Sequence, residues 1–300
     1  RDNKLREMLE DLLENRILSY IRQRFDCRFC APSDILLRRY IPGERRSHAV
    51  HFDGHAYVTA VLGISDPEKY QGGLYIQPGP DVASRTYFGL EPGDLLVHSF
   101  DLQHGVHLWK GVRYSVVFWI KDSLQAVREG TTPWYHGLAE KGDPDACYNL
   151  AQNYEYGLFG HQQDISKAIE LYERSARAGH HFAQNNLALV YRRLHENTTD
   201  PAEAEQLLHR SVEWLQTAAK SGFAMAQKNL ALAYTNGQGL RRDDAQAVVW
   251  MRRAAEQLEV EAAYMLGELH RQGRGVPIGE AVKWYLRSAE MGFPKAQYTV

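Results

Sequence analysis

Two patterns of apolar positions divide the chain. From about Asp34 to Lys121, β-branched and aromatic residues come in short runs broken by Gly, Pro, Asp and Ser. The runs predict strands at 35–41, 46–52, 56–64, 73–77, 85–89, 94–98, 104–108 and 113–120, with turns at Pro42-Gly43, Gly72-Gly73, Pro78-Gly79-Pro80 and Pro92-Gly93. Eight short strands with frequent turns point to a β-sandwich or barrel. Ahead of them Leu5, Met8, Leu9, Leu12, Leu13, Ile17 and Ile21 recur at spacings of three and four within 3–25. That spacing predicts an amphipathic helix packed on the outside of the sheets.

After Pro133 the strands stop and a repeat begins. Its first half reads Ala146/Leu150/Ala151/Tyr154, then Ala183/Leu187/Ala188/Tyr191, Ala226/Leu230/Ala231/Tyr234 and Ala262/Leu266/Gly267/His270, with a fifth copy opening at Ala296. The second half pairs large apolar residues with a position eight further on that is usually glycine: Trp134…Gly142, Leu171…Gly179, Trp214…Gly222, Trp250…Leu258 and Trp284…Gly292. Small residues recurring against large ones let two helices approach closely, and the glycine supplies a left-handed C-terminal cap. Asp164, Asp243 and Asp200-Pro201 read as helix starts. Two helices in every 34–43 residues mean an α-solenoid.

The chain of 300 residues is longer than a typical domain, and the change of pattern near residue 128 predicts domains at 1–128 and 129–300 in an α+β multidomain protein. With 35 basic and 37 acidic residues, no overall field recruits nucleic acid or an anionic membrane. No uncharged apolar run approaches the ~20 residues of a membrane span. Cys27, Cys30 and Cys147 cannot build a disulfide framework. Cys27-x-x-Cys30 reads foremost as two ordinary thiols, with half a zinc site or a redox pair as alternatives. A start at Arg1 and a stop at Val300 in mid-repeat read as a fragment. The few cysteines favour cytoplasm or nucleus, with the endoplasmic reticulum still open.

Candidate chemistry lies in the strand-rich half. On a strand, His51 and Asp53 point the same way, so one imidazole and one carboxylate can meet a metal side by side. His104 opens a later strand and Arg113 the next, so both can face the same cavity. Two imidazoles and one carboxylate form a facial set suited to non-haem Fe(II), leaving positions open. A guanidinium fork suits a carboxylate. His98 and His107 compete with His104 for the third ligand position. His48 has the opposite parity to His51 and is expected to face away, whereas His55 is a candidate substrate contact. Arg38, Arg39, Arg45 and Arg46 read as a solvated edge or as a rim that meets an acidic substrate. Trp109 and Trp119 read first as barrel packing.

These residues, together with Tyr40-Ile-Pro-Gly43, Gly72-Gly73-Leu-Tyr-Ile, Glu91-Pro-Gly-Asp94-Leu-Leu-Val and Arg113-Tyr-Ser-Val, resemble the Fe(II)- and 2-oxoglutarate-dependent dioxygenases of the prolyl 4-hydroxylase type over about residues 34–122. The solenoid half resembles Sel1-like repeats, relatives of the tetratricopeptide class, over about 133–300. Its second copy departs, with some seven extra residues around His195–Pro201. The oxygenase resemblance implies a double-stranded β-helix (jelly-roll) with Fe(II) held by His51, Asp53 and His104. It implies 2-oxoglutarate bound by Arg113, with Ser115 and Tyr40 as further contacts, O₂ as oxidant and ascorbate as an accessory reductant. A second tyrosine known from oxygen-sensing members corresponds here to Gly63. The implied activity is hydroxylation of a protein or peptide, prolyl hydroxylation being one form, with the partner docked on the solenoid. Competing readings are a small-molecule hydroxylase whose repeats serve assembly, and an inactive oxygenase fold acting as a scaffold.

Overall fold

The computed structural model describes residues 3–42, 46–274 and 278–299, with side chains from residue 8 onward and that of residue 278 excepted. Leu5 as a packing residue, Gly43 and Arg45 therefore lie outside the described residues. The chain divides into two compact units. The first comprises Arg1–Ile76, Thr86–Lys141 and Gln152–Asp164, the second Gln77–Arg85, Gly142–Ala151 and Ile165–Val300.

All eight predicted strands form. They are β1 (Ala31–Tyr40), β2 (Ser47–His51), β3 (Val58–Gly63), β4 (Tyr70–Ile76), β5 (Thr86–Phe88), β6 (Leu95–Ser99), β7 (His104–Gly111) and β8 (Arg113–Lys121). They make two antiparallel four-stranded sheets, ordered β1-β8-β3-β6 and β2-β7-β4-β5. Side chains alternate across each sheet, so the first sheet has an outer and an inner apolar face. Its outer face (Val58, Ala60, Phe118, Ile120) is covered by the N-terminal helical run. That run comprises α1 (Asn3–Leu12), a π-helical turn (Leu13–Leu18) and α2 (Ser19–Arg24), and it buries Leu13, Ile17, Leu18 and Ile21. Cys27 and Cys30 are free thiols buried in the same cluster, where they behave as small hydrophobes. The inner face joins the second sheet through Tyr40, Val61, Tyr70, Leu74, Val106 and Leu108.

Glycines allow the second sheet to close. Gly72 and Gly73 take φ of +95° and +125° where β4 slips against β7, and a Cβ on Gly72 would collide with the His107 carbonyl. After β8 come α3 (Leu124–Glu129) and α4 (Trp134–Glu140). Trp134 packs on Tyr57, Tyr135 packs on Phe100, and the Tyr135 hydroxyl donates to the Gly54 carbonyl at 2.9 Å. The first Trp-Tyr pair of the repeat pattern is thus part of the first unit.

The remaining helices are α5 (Pro144–Tyr156), α6 (Ile165–Arg177), α7 (His181–Asn197), α8 (Pro201–Lys220), α9 (Ala224–Asn236), α10 (Asp244–Glu256), α11 (Val260–Arg271), α12 (Ala281–Glu290) and α13 (Pro294–Thr299). Asp200 and Asp243 cap α8 and α10, accepting from the backbone N–H of Ala202 and Gln246. The repeated small residues are buried where helices meet: Ala183, Ala188, Ala226, Ala231 and Ala262 have no exposed surface. Buried serines recur as cross-helix ties. Ser175 donates to the Pro144 carbonyl, Ser211 to Ala188 and Ser288 to Val260, at 2.7–2.9 Å. Gly142, Gly179, Gly222 and Gly292 hold φ between +86° and +102°. Leu258 occupies the corresponding place in its repeat and is driven to +65°.

Candidate metal centre

His51 ends β2, Asp53 follows it, and His104 opens β7 directly opposite His51. One donor atom from each lies within 4.8 Å of the other two. His51 Nε2 stands 3.5 Å from Asp53 Oδ1, and His104 Nε2 stands 3.5 Å from Asp53 Oδ2. The far sides of both rings are already engaged: His51 Nδ1 donates to the Ala49 carbonyl at 2.8 Å and His104 Nδ1 to the Leu102 carbonyl at 3.0 Å. These backbone acceptors select the tautomer whose Nε2 lone pair is free and aimed at the carboxylate. Thr59, on β3, donates to Asp53 Oδ2 at 2.7 Å and fixes the carboxylate.

Electrostatics keep Asp53 and His104 in their ligating forms. Burial raises the Asp53 carboxyl, but the neighbouring His51 and His104 and the Thr59 hydroxyl outweigh it and hold the group well below the usual carboxylate range. Burial, reinforced by His98, lowers His104 to about 3. A neutral imidazole and an ionised carboxylate are the states a divalent cation needs. Donors bonded at about 2.0–2.2 Å to one ion sit roughly 3–3.5 Å from one another, and each imidazole Nε2 lies 3.5 Å from its nearer Asp53 oxygen. The donor set therefore fits a divalent metal such as Fe(II), which ligates imidazole and carboxylate together.

Arg113 opens β8 on the inner face and is almost wholly buried. Its Nη1 donates to Ser115 Oγ at 3.2 Å, and the Tyr40 ring centroid lies 6.0 Å from its Cζ. Nη2 is buried without a hydrogen-bond partner. Burial pulls the guanidinium below its ordinary pKa, while Tyr70 and Tyr40 act in the opposite direction. Tyr70 is a residue that sequence reasoning missed. It reaches Arg113 because Gly73 leaves room: a Cβ there would come within 3.1 Å of the Tyr70 ring. The place where a second tyrosine was looked for has no space for one, since a Cβ on Gly63 would lie 2.6 Å from the Glu91 carbonyl oxygen. The Gly72-Gly73 pair two and three residues after Tyr70 was the available signal.

His51, Asp53, His104, Arg113, Ser115 and Tyr40 all line one cavity between the sheets, of about 420 Å³ counted out to its open mouth. The expectation for His48 is corrected here, and the open readings of the tryptophans and arginines are narrowed. His48 does not face away: three residues of β2 span two of β7 between the pairs His48–Val106 and His51–His104, and this bulge reverses the parity. The His48 ring stacks on His51 at 4.1 Å and lines the cavity. Trp119 also lines it, with the His55 ring edge-on at 4.4 Å, whereas Trp109 is half exposed and packs on Tyr87 and His107. Of the arginines read as one edge, Arg38 lines the cavity, whereas Arg39 is exposed on the other face of β1.

The competitors for the third ligand are separated by geometry. His98 packs on the His104 ring with its Nε2 4.0 Å from Asp53 Oδ2, outside the three-donor cluster. His107, of opposite parity to His104 on β7, turns to Trp109.

Comparison with known proteins adds two resemblances. Residues 144–180, 181–223, 224–257 and 260–293 match the Sel1 repeat family, so the helical array is built of Sel1 repeats. The chain is also 31% identical over 100 residues to a PKHD-type hydroxylase of Maricaulis maris, a match covering 31% of this chain. It spans 44% of that protein's length. The fusion read from the sequence, a hydroxylase-like region with Sel1 repeats, is thereby found. Among solved structures, a protective antigen of uropathogenic Escherichia coli with an SLR fold is 34% identical (TM-score 0.47, 56% of this chain, 36% of that one). A Sel1 repeat protein from Oxalobacter formigenes is 26% identical (TM-score 0.47, 55% and 64%). A 2OG-Fe(II) oxygenase family oxidoreductase from Burkholderia pseudomallei is 15% identical (TM-score 0.32, 39% and 57%). No helix among the described residues is long and apolar enough to cross a membrane.

Proposed function

We propose that this chain is an Fe(II)- and 2-oxoglutarate-dependent dioxygenase that hydroxylates a protein or peptide substrate, with the Sel1 repeats as its docking surface. One observation carries the reading: two free imidazole lone pairs and a carboxylate converge in the same cavity as a buried guanidinium whose Nη2 lacks a partner. His51, Asp53 and His104 hold the iron, and two packed sheets of four strands are the layers of a double-stranded β-helix. Bound iron supplies oxidative decarboxylation of 2-oxoglutarate by O₂, coupled to hydroxylation of a substrate C–H bond; ascorbate serves as its accessory reductant. The chain's own residues do the rest. Arg113 binds the distal carboxylate through charge-assisted hydrogen bonds, Ser115 orients the guanidinium, and Tyr40 and Tyr70 wall the carboxylate off from water. The backbone carbonyls of Ala49 and Leu102 hold the protons on Nδ1 of both histidines, so that Nε2 stays available.

Similarity to a PKHD-type hydroxylase supports the reaction class. The test is anaerobic loading of the full chain with Fe(II) and 2-oxoglutarate, then addition of O₂ and measurement of succinate with and without peptides. Iron retention with succinate release is the expected result. Loss of iron on desalting together with no succinate would overturn the reading.

A further inference from the structure

One cation of the cavity has no task in this reaction. Arg38 lies on β1 opposite Ser115 of β8, and Tyr40 lies opposite Arg113, so the two guanidinium groups share one wall of the cavity. Diagonal neighbours on adjacent strands are about 7–8 Å apart at the backbone. Among the described residues Arg38 meets the Trp119 ring, 5.7 Å from its Cζ. No carboxylate among the described residues is paired with it. Asp34 is four residues away along an extended strand, about 13 Å by strand rise. Asp53 is already engaged by His51, His104 and Thr59.

Charge balance then points outward. A divalent ion and Arg113 are offset by Asp53 and a dicarboxylate cosubstrate, which leaves Arg38 as an uncompensated cation in a semi-enclosed cavity. A guanidinium resting over an indole, its Cζ 5.7 Å from the ring centroid, is steadied to meet a planar anion. We propose that Arg38 is a second anion anchor, and that the substrate presents a peptide carboxylate to it beside the C–H bond that is oxidised. The proposal rests on the oxygenase reading and adds the substrate class to it. Trp119 supports the guanidinium from below, and His55 supports Trp119.

The experiment is anaerobic calorimetry on the full chain loaded with Co(II) and 2-oxoglutarate. The probes are acetylated, C-terminally amidated tripeptides carrying Asp or Asn, and Glu or Gln, at the centre. An alanine tripeptide with a free or amidated C-terminus separates a side-chain carboxylate from a terminal one. At least one acidic member is expected to bind about tenfold tighter than its amide. Arg38→Gln should abolish that difference, Arg38→Lys should restore part of it, and Arg39→Gln, on the other face of the strand, should leave it intact. Equal binding of acids and amides, including no binding of either, would overturn the proposal, as would a preference that survives Arg38→Gln. If Arg38→Gln weakens 2-oxoglutarate while the acid preference stays, Arg38 belongs to the cosubstrate and the proposal falls. Failure of wild type to take up Co(II) sinks the oxygenase reading itself, and this proposal with it.

Discussion

The two units put their buried polar groups to different uses. In the repeat unit several buried polar side chains tie neighbouring helices together, although His181 Nε2, Gln184 Oε1 and Trp284 Nε1 are buried without a hydrogen-bond partner. Ser175, Ser211 and Ser288 donate to carbonyls of a neighbouring helix, and Asn229 donates to Asn185 at 2.8 Å between successive repeats. In the sheet unit incomplete groups gather at one cavity: Arg113 Nη2 has no hydrogen-bond partner, and the Nε2 atoms of His51 and His104 face a carboxylate at 3.5 Å rather than bonding it closely. Unsatisfied buried polar atoms cost stability, and they persist where a ligand completes them. The gathering of such groups around one cavity, more than their number, marks the site.

The sharpest way to break that contrast is to remove a donor from the cluster. Asp53→Ala takes away the group both histidines face, and metal affinity should fall by more than about a hundredfold, beyond the 10- to 100-fold typical of supporting residues. Anaerobic Co(II) titration reads this directly, and retention of wild-type affinity would show that the three side chains converge for another reason. Next in size is Arg113→Gln. Losing one partner of a buried charge pair costs about 2–5 kcal/mol, so the KM for 2-oxoglutarate should rise by roughly a hundredfold or more while metal binding persists. A KM within threefold of wild type would remove Arg113 from the cosubstrate site.

The repeat unit should respond to acid through a different residue. Burial, then neighbouring His180, lowers His181 to about 4. The unfolded chain therefore binds a proton that the folded chain refuses. Stability from this residue is complete above about pH 6.5 and is lost as pH falls towards 4, by about 3 kcal/mol in all. His181→Ala should flatten the wild-type loss of helical stability between pH 7 and 4.5, followed by circular dichroism melts. Identical pH slopes for both proteins would contradict it. The smallest effect is expected at Leu258, whose positive φ costs a non-glycine residue about 1 kcal/mol. Leu258→Gly should leave the melting temperature unchanged or raise it by a few degrees, since relief of strain competes with lost packing and added chain entropy. A fall of more than about 5 °C would mean that the side chain, not the backbone, governs that turn.

The helical array was legible in the sequence because its contacts are local. Ala146, Ala183, Ala226 and Ala262 meet partners a few turns away, and the same spacing returns in each repeat, so periodicity reports packing directly. The eight strands were legible for a similar reason, through apolar runs and turn residues. Within the site, His51, Asp53, His104 and Arg113 could be named from parity and order, and the fold brings them to one cavity. His48 was misread because parity holds only for an unbroken strand, and the β2 bulge is set by pairing with β7 rather than by residues 47–51. Trp119 was taken as packing because strand alternation gives two faces without saying which one encloses a cavity.

Two architectures, the residue types of a candidate metal cluster and the register of the repeats follow from the order of residues alone. All of these follow from short-range periodicity and from side-chain chemistry. It took the three-dimensional packing to show that Tyr70 rather than residue 63 flanks Arg113, that His98 Nε2 lies 4.0 Å from Asp53, and that Arg38 lines the cavity. Those outcomes depend on which strands are neighbours and where one slips past another, and such long-range pairings leave no periodic trace along the chain.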